Sequence, residues 1–330
     1  MRRTSLYFTA PRTVELRDEP LPSLSPNQAL IQTLHSAISP GTELLIYRGE
    51  APSDLAADDT LAALGGTLTF PLKYGYSAVG RVVELGPGVD PVWQDRLVFA
   101  FNPHETHFAA ETSTLIPIPE TLSPEDAVCL PNMETAVNFL HDGSPLVGER
   151  VAVFGQGIVG LLTTRLLARL PLEQLVTFDR YPLRRDFSLA LGAHQSLDPH
   201  TPSPPYDFDL SYELSGSPIA LDQALTLTGF DGRIVIGSWY GTKRANLDLG
   251  GRFHRSRIKL ISSQVSTLNP ALTGRWTKDR RLQFALGLLA EIKPSRFITH
   301  RLPFTAAPKA YELLDQKPEE AVQVVLTYQN

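Results

Sequence analysis

The chain has 330 residues, 30 basic and 35 acidic, a formal net charge of −5, and 42% hydrophobic against 20% charged residues. That composition is globular and excludes disordered and fibrous classes. The single cysteine, Cys129, excludes an internal disulfide framework and a four-cysteine zinc site, and the mild acidity leaves no electrostatic footprint for nucleic acid. At ~150 residues per domain, the length implies about two domains. The start is basic (Arg2, Arg3), but no apolar stretch follows it. No run approaches the ~20 apolar residues of a membrane helix, so the expectation is a soluble, cytoplasmic protein without a membrane partner.

The first ~120 residues read as β-rich. Val14 to Arg17 and Ala29 to Leu34 are short strand-like runs, with Pro20, Pro22 and Pro26 between them. Val79 to Leu85 is β-branched and ends at Gly86-Pro87-Gly88; Leu97 to Ala100 and Leu115 to Pro119 follow. Short strands separated by Pro and Gly turns point to a barrel-like domain.

The texture changes at Ser123-Pro124-Glu125-Asp126. A hydroxyl cap, a first-turn proline and two acids predict a helix start, and a helix through Val137 to Leu140 follows. From Arg150 strand and helix alternate. Strands are predicted at Val151 to Phe154, Leu175 to Phe178, Asp209 to Leu214, Arg233 to Gly237 and Ile258 to Ile261. Helices are predicted at Ile158 to Leu170, Phe187 to Leu191 and Ile219 to Leu227. Pro199 to Pro205 reads as an exposed loop. The fully apolar Val151 to Phe154 suits a strand buried on both faces of a parallel sheet, and the alternation predicts a doubly wound α/β unit. After about Asn269 come a helix (Arg281 to Glu291), a strand (Phe297 to Thr299), a helix (Ala306 to Leu314) and a strand (Val322 to Leu326). This tail does not continue the repeat cleanly and is expected to rejoin the first domain. The expected division is therefore 1–121 with 269–330, and 122–268.

Gly155-Gln156-Gly157-Ile158-Val159-Gly160 is a G-x-G-x-x-G that follows a predicted buried strand and opens a predicted helix. In that context it is a dinucleotide fingerprint: a tight turn, a close backbone approach to pyrophosphate at a helix N-terminus, and a close helix–strand contact. Asp179 ends the next strand, where a carboxylate suits a ribose diol and repels a 2′-phosphate. NAD is favoured over NADP, although Arg180, Arg184 and Arg185 could receive that phosphate.

A β-rich first half, a Rossmann unit from about residue 150 and a returning tail together resemble the medium-chain dehydrogenase/reductase superfamily over essentially the whole chain. The resemblance implies a GroES-like barrel beside the Rossmann doubly wound parallel sheet. Ser39 to Gly49 is similar to the family's first active-site segment, and Tyr74 to Val82 takes the place of its Gly-His-Glu segment. Ser215-Gly216 and Gly232 to Gly237 are similar to later nucleotide-domain turns, which brings Gly216 and Gly237 to the cofactor. Thr135 is a nicotinamide contact by family position. In zinc-dependent members the ligands would fall at Pro40, Tyr76 and Pro131, with Ser77 at the adjacent glutamate position. None of these supplies the donors of a catalytic zinc. The resemblance thus implies a zinc-independent member, nearest among subfamilies to bacteriochlorophyllide hydroxyethyl dehydrogenases. It also implies a homodimer through the sheet edge near Ile258 to Val265.

Without a metal, hydrogen-bond donors must polarise the substrate oxygen. Thr42 falls at the family's hydroxyl relay and Tyr76 at a vacated ligand position. Tyr76 is the candidate donor, Thr42 the relay and Glu43 the group that orients them. The bland alternative is that Tyr76 fills space and Glu43 pairs with a cation. His104-Glu105-Thr106-His107 could be imagined as a metal site, but on a strand the two imidazoles face opposite ways; one of them in a substrate pocket is the better expectation. His35, His141 and Cys129 read as structural, and Arg252 to Arg257, with His254, as a basic loop that could meet an anion. The expected function is hydride transfer between a nicotinamide cofactor and a small alcohol/ketone substrate. The alternatives are an NADPH-dependent enone or quinone reductase, which Asp179 disfavours, and a non-catalytic dinucleotide-binding or sensor protein.

Overall fold

In a computed structural model, described for residues 2–56, 62–201 and 206–328, the chain forms two compact units. One comprises 1–131 with 288–330, the other 132–287. Residues 122–131 and 269–287 thus sit in the opposite units from those the expected boundaries assign. Residues 202–205 of the expected proline loop lie outside the described part.

The first unit begins with the hairpin β1 (Arg2–Ala10) and β2 (Thr13–Pro20), then β3 (Gln28–Ala37). The basic start is therefore a strand. A helix follows, α1 (Pro40–Arg48), which the β-rich reading missed. Its signals are local: proline inside the first turn, and Gly49 in the left-handed conformation (φ 72°) closing the end. Then come β4 (Ala78–Leu85), β5 (Leu97–Ala100), β6 (His107–Glu111), β7 (Ile116–Pro117) and the short α2 (Pro124–Ala127), capped by Ser123 onto the Asp126 N–H.

The second unit opens with α3 (Leu130–Gly143). Strands and helices then alternate: β8 (Arg150–Phe154), α4 (Ile158–Leu167), β9 (Gln174–Phe178), α5 (Pro182–Ala190), β10 (Gln195–Leu197), β11 (Phe208–Glu213), α6 (Pro218–Leu227), β12 (Thr228–Ile236) and β13 (Lys259–Ser262). The six strands form one sheet in the order β10-β9-β8-β11-β12-β13, every pair parallel. The order reverses at β8, the point at which doubly wound sheets bind ligands. Along β8, Ala152 and Phe154 join one buried cluster while Val151 and Val153 join another. An all-apolar strand is thus explained by two covered faces. Helix α5 starts five residues before the expected one, because Pro182 sits in its first turn.

The chain ends with α7 (Lys278–Ile292), β14 (Ile298–Pro303), α8 (Ala307–Gln316) and β15 (Gln323–Thr327). β15 pairs antiparallel with β3 and parallel with β14, so the tail completes the first unit's sheet, β14-β15-β3-β4-β5-β7, with β6 also on β3. No helix among the described residues is long and apolar enough to cross a membrane.

One buried charge holds the second unit's helices. Arg281 is fully buried and donates to Glu134 at 3.1 Å, to Asn138, to the Thr267 carbonyl at 3.0 Å and to the Val265 carbonyl. Asn138 in turn donates to Ser263 at 3.0 Å. Burial pushes the Glu134 carboxyl above its ordinary pKa, against the pull of Arg281. Removing one member of such a pair strands the other charge. Arg281→Met is expected to cost about 3–5 kcal/mol, and the double change with Glu134→Leu to recover most of it. Denaturant unfolding of the three proteins measures this.

Candidate active site

In the first unit, chemistry gathers at the start of α1. Ser39 is the N-cap, and Thr42 and Glu43 lie in the first turn. Glu43 is fully buried. Its Oε1 accepts the Ser39 backbone N–H at 2.8 Å, and its Oε2 accepts the Tyr311 hydroxyl at 2.5 Å and faces His104 Nε2 at 3.0 Å. Burial, reinforced by the Glu43 charge, raises the Tyr311 hydroxyl far above its ordinary pKa, so the phenol stays a donor. His104, also fully buried, meets Ser36 Oγ at 2.7 Å through Nδ1, and Ser36 meets the Tyr328 hydroxyl at 2.8 Å. Gly75, at φ +124°, lies flat against the imidazole, and a Cβ there would come within 2.7 Å of the ring.

Tyr76 is half-buried, as are Ser39 and Thr42. Its hydroxyl donates to Ser39 Oγ at 2.5 Å and lies 3.4 Å from Thr42 Oγ1. Three hydroxyls therefore meet at one point. Tyr76 and Thr42 were expected together; Ser39, the closer partner, was not singled out. Glu43 shares no bond with either expected partner. It holds the Ser39 backbone N–H, and its imidazole partner is His104. Glu105, next in sequence, belongs to a separate cluster with Arg3, Lys73, Ser5 and Asn102. His107 opens β6, half-buried.

At the positions compared with zinc ligands, Pro40 and Pro131 carry no donor atoms and Tyr76 carries a phenol. Ser77, beside it, donates to the Val128 carbonyl. Among the described residues no group of three or more His, Cys, Asp or Glu could hold a metal ion. Cys129 is buried, and burial raises its thiol pKa.

In the second unit the glycine loop joins β8 to α4. Gly155 (φ +94°) packs against the backbone of Ser215, where a Cβ would come within 2.7 Å. A Cβ on Gly160 would overlap the Gly155 carbonyl. These two glycines serve packing. Gly157 differs: it has an ordinary φ of −66°, and a Cβ there would meet nothing within 4 Å. The fold itself does not require glycine at 157, whereas a phosphate approaching the α4 N-terminus does. Ile158 begins α4 and is buried with the core; Val159, half-buried, accepts the Thr163 hydroxyl on its carbonyl. The Gln156 side chain turns inward, bonded to the Gly155 carbonyl and Thr164.

Asp179 follows β9, as expected, but both oxygens already serve the protein. Oδ2 accepts the Gln156 N–H at 2.7 Å and Oδ1 the Tyr181 N–H at 2.9 Å. A carboxylate oxygen accepts more than one bond, so capacity for a diol remains. Arg180 is exposed and stacks on Tyr181, as does Arg184. Arg185 donates to the Asp179 carbonyl at 2.8 Å.

Gly216 (φ +65°) gives its N–H to Ser238 Oγ at 2.8 Å and to buried Glu213 at 3.1 Å. Sequence reasoning missed Glu213, which also accepts from the Ser215 N–H and the Tyr240 hydroxyl. Gly237 is required by packing, since a Cβ would overlap Phe139. Thr135 lies on α3, partly buried. In the basic loop, Arg252 pairs with Asp207 and Arg257 with Asp231.

Two glycine substitutions separate packing from binding. Gly157→Ala is expected to leave the melting temperature unchanged while weakening NADH binding at least about tenfold, whereas Gly160→Ala is expected to lower both. Thermal melts and fluorescence titration with NADH measure the pair.

No family profile matches the chain. D-guloside 3-dehydrogenase of Escherichia coli is 24% identical, over 98% of this chain and 99% of its own length. The 2-desacetyl-2-hydroxyethyl bacteriochlorophyllide A dehydrogenase of Cereibacter sphaeroides is 25% identical, over 97% and 96%. Among solved structures, acetophenone reductase from Geotrichum candidum, in complex with NAD, superposes with a TM-score of 0.79 at 15% identity, over 99% of this chain and 97% of that one. Along its whole length the chain is thus similar in sequence to dehydrogenases and shares the fold of medium-chain dehydrogenases, a Rossmann sheet with a GroES-like unit.

Proposed function

We propose that this chain is a zinc-independent oxidoreductase that moves a hydride between a nicotinamide cofactor, NAD by preference, and an alcohol/ketone pair. The observation that carries the reading is Gly157: a glycine without a packing reason, at the N-terminus of α4 and at the reversal point of the sheet. The names of the relatives, a guloside 3-dehydrogenase and a hydroxyethyl-group dehydrogenase, support an alcohol as substrate.

When bound, the cofactor supplies or accepts the hydride. The glycine loop and the α4 N-terminus would hold its pyrophosphate, Asp179 its ribose diol, and Thr135 with the Gly216 and Gly237 turns its nicotinamide end. NAD preference rests on the Asp179 carboxylate, whose charge opposes a 2′-phosphate. Zinc independence rests on the side chains: two prolines and a phenol do not make a zinc site. Oxygen polarisation then falls to Tyr76. Its phenol would donate the proton to the carbonyl oxygen in reduction, and its phenolate would receive the alcohol proton in oxidation, with Thr42 relaying to solvent.

A homodimer through the β13 edge completes the proposal. β13 is the last strand of its sheet, and Leu260 on it is 37% exposed. Sizing chromatography at micromolar concentration is expected to give twice the 36.3 kDa chain mass; a monomer removes this part.

Titration with NADH and NADPH, followed by an absorbance screen of alcohols, ketones and enones, tests the whole. The expected result is tighter NADH binding, turnover of an alcohol/ketone pair, and a drop of about 10²–10³ in hydride transfer for Tyr76→Phe, the size expected on losing one oxygen-stabilising donor. Full turnover by Tyr76→Phe removes the phenol from the mechanism. Turnover of enones with NADPH alone replaces the reading with a reductase, and binding without any turnover replaces it with a sensor.

A further inference from the structure

We propose that Ser39 is a positioning residue that aims the Tyr76 phenol and stabilises it after it gives up its proton. The inference rests on the reading of Tyr76 as the group that exchanges a proton with substrate.

The argument starts from a helix cap that is not used as one. Serine at an N-cap ordinarily turns its hydroxyl to a backbone N–H of the first turn. Ser39 holds the N-cap of α1 with extended dihedrals (φ −93°, ψ 98°), yet its side chain makes no cap bond. The hydroxyl instead accepts from Tyr76 at 2.5 Å, against 3.4 Å for Thr42. Meanwhile the Ser39 backbone is clamped. Its N–H is held by Glu43 at 2.8 Å, and Glu43 is locked from the other side by Tyr311 and His104. A side chain withheld from its usual local bond, on a backbone fixed by a buried carboxylate, is a preorganised partner for the phenol.

The chemistry balances as follows. In reduction the substrate carbonyl carbon takes the hydride of the reduced nicotinamide, and its oxygen takes the Tyr76 proton. The product is the alcohol, and a phenolate remains until water reprotonates it. A serine hydroxyl both accepts and donates. It accepts from the phenol at rest and, by rotating about its C–O bond, donates to the phenolate. A hydrogen bond to a charged oxygen is stronger than one between neutral groups, so Ser39 favours the phenolate and lowers the Tyr76 pKa relative to a chain without that hydroxyl.

The test reads the phenol itself and needs no substrate. The full chain is labelled with 3-fluorotyrosine, and the Tyr76 fluorine resonance is assigned by its absence in Tyr76→Phe and titrated with pH. Ser39→Ala is expected to raise the Tyr76 pKa by about one unit. Ser39→Thr, which keeps the hydroxyl, is expected to restore it, and Thr42→Ala to move it less. The melting temperature of Ser39→Ala is expected to match the parent, because no cap bond is lost. An unmoved Tyr76 titration in Ser39→Ala overturns the proposal, as does an equal shift in Thr42→Ala. If Tyr76→Phe keeps full turnover, the catalytic reading of Tyr76 fails on its own, and the titration still decides whether Ser39 controls the phenol.

Discussion

The first unit depends on keeping one carboxylate out of water. Glu43 has no solvent contact, and an unpartnered charge there would be prohibitively costly. Its partners are the Ser39 N–H one turn before it and two side chains distant in the chain, His104 just before β6 and Tyr311 on α8. Satisfying one side chain thereby joins the helix start, the central sheet and the returning tail. For His104 Nε2 to bond the carboxylate it must carry the proton, which leaves Nδ1 to Ser36. The imidazole is thus fixed at both nitrogens and against Gly75. The consequence for the site is geometric: with its first turn anchored from below, α1 holds its two hydroxyls beside Tyr76.

The second unit solves a different problem with glycine. Gly155 and Gly160 exist because backbone approaches backbone there, and Gly237 because Phe139 needs the space. Buried acids then freeze the turns. Asp179 holds the Gln156 and Tyr181 N–H groups, and Glu213 holds those of Ser215 and Gly216. Each is a carboxylate at or just past the end of a parallel strand that receives backbone donors a loop would otherwise leave unsatisfied. What the unit presents at Gly157 is accordingly rigid before any ligand arrives, which lowers the ordering cost of binding.

How legible this was depended on whether the cause was local. The parallel sheet was readable because burial on both faces forces an unbroken apolar strand, as in Val151 to Phe154. The glycine loop was readable because its backbone demands appear as residue identity. α1 was missed among strands, although Pro40 and Gly49 marked its ends, because a β-rich neighbourhood outweighed two short signals. Ser39, His104 and Glu213 were out of reach for a deeper reason. Their roles are set by partners 37, 61 and 27 positions away, and no periodicity encodes such pairings. Gln156 shows the converse error: it sits inside the fingerprint, yet its side chain faces the core and leaves only its backbone to the loop.

The same long-range pairing bears on how a phenol could replace a metal. A zinc ion brings positive charge to a developing alkoxide; a tyrosine brings only a proton and leaves negative charge behind. Glu43, bonded to the Ser39 N–H four positions before it, adds to that burden, since like charges in a poorly solvated place repel. Two features of the unit oppose the repulsion. His104 Nε2 meets the carboxylate directly at 3.0 Å, and a donor there stabilises the carboxylate charge. The Ser39 hydroxyl, free of its helix, is available to donate. Half-exposure of Tyr76, Thr42 and Ser39 adds water as the final proton source. Under the proposed zinc-independent reading, the carboxylate would fix geometry, the histidine would hold the carboxylate, and the hydroxyls would carry the exchange.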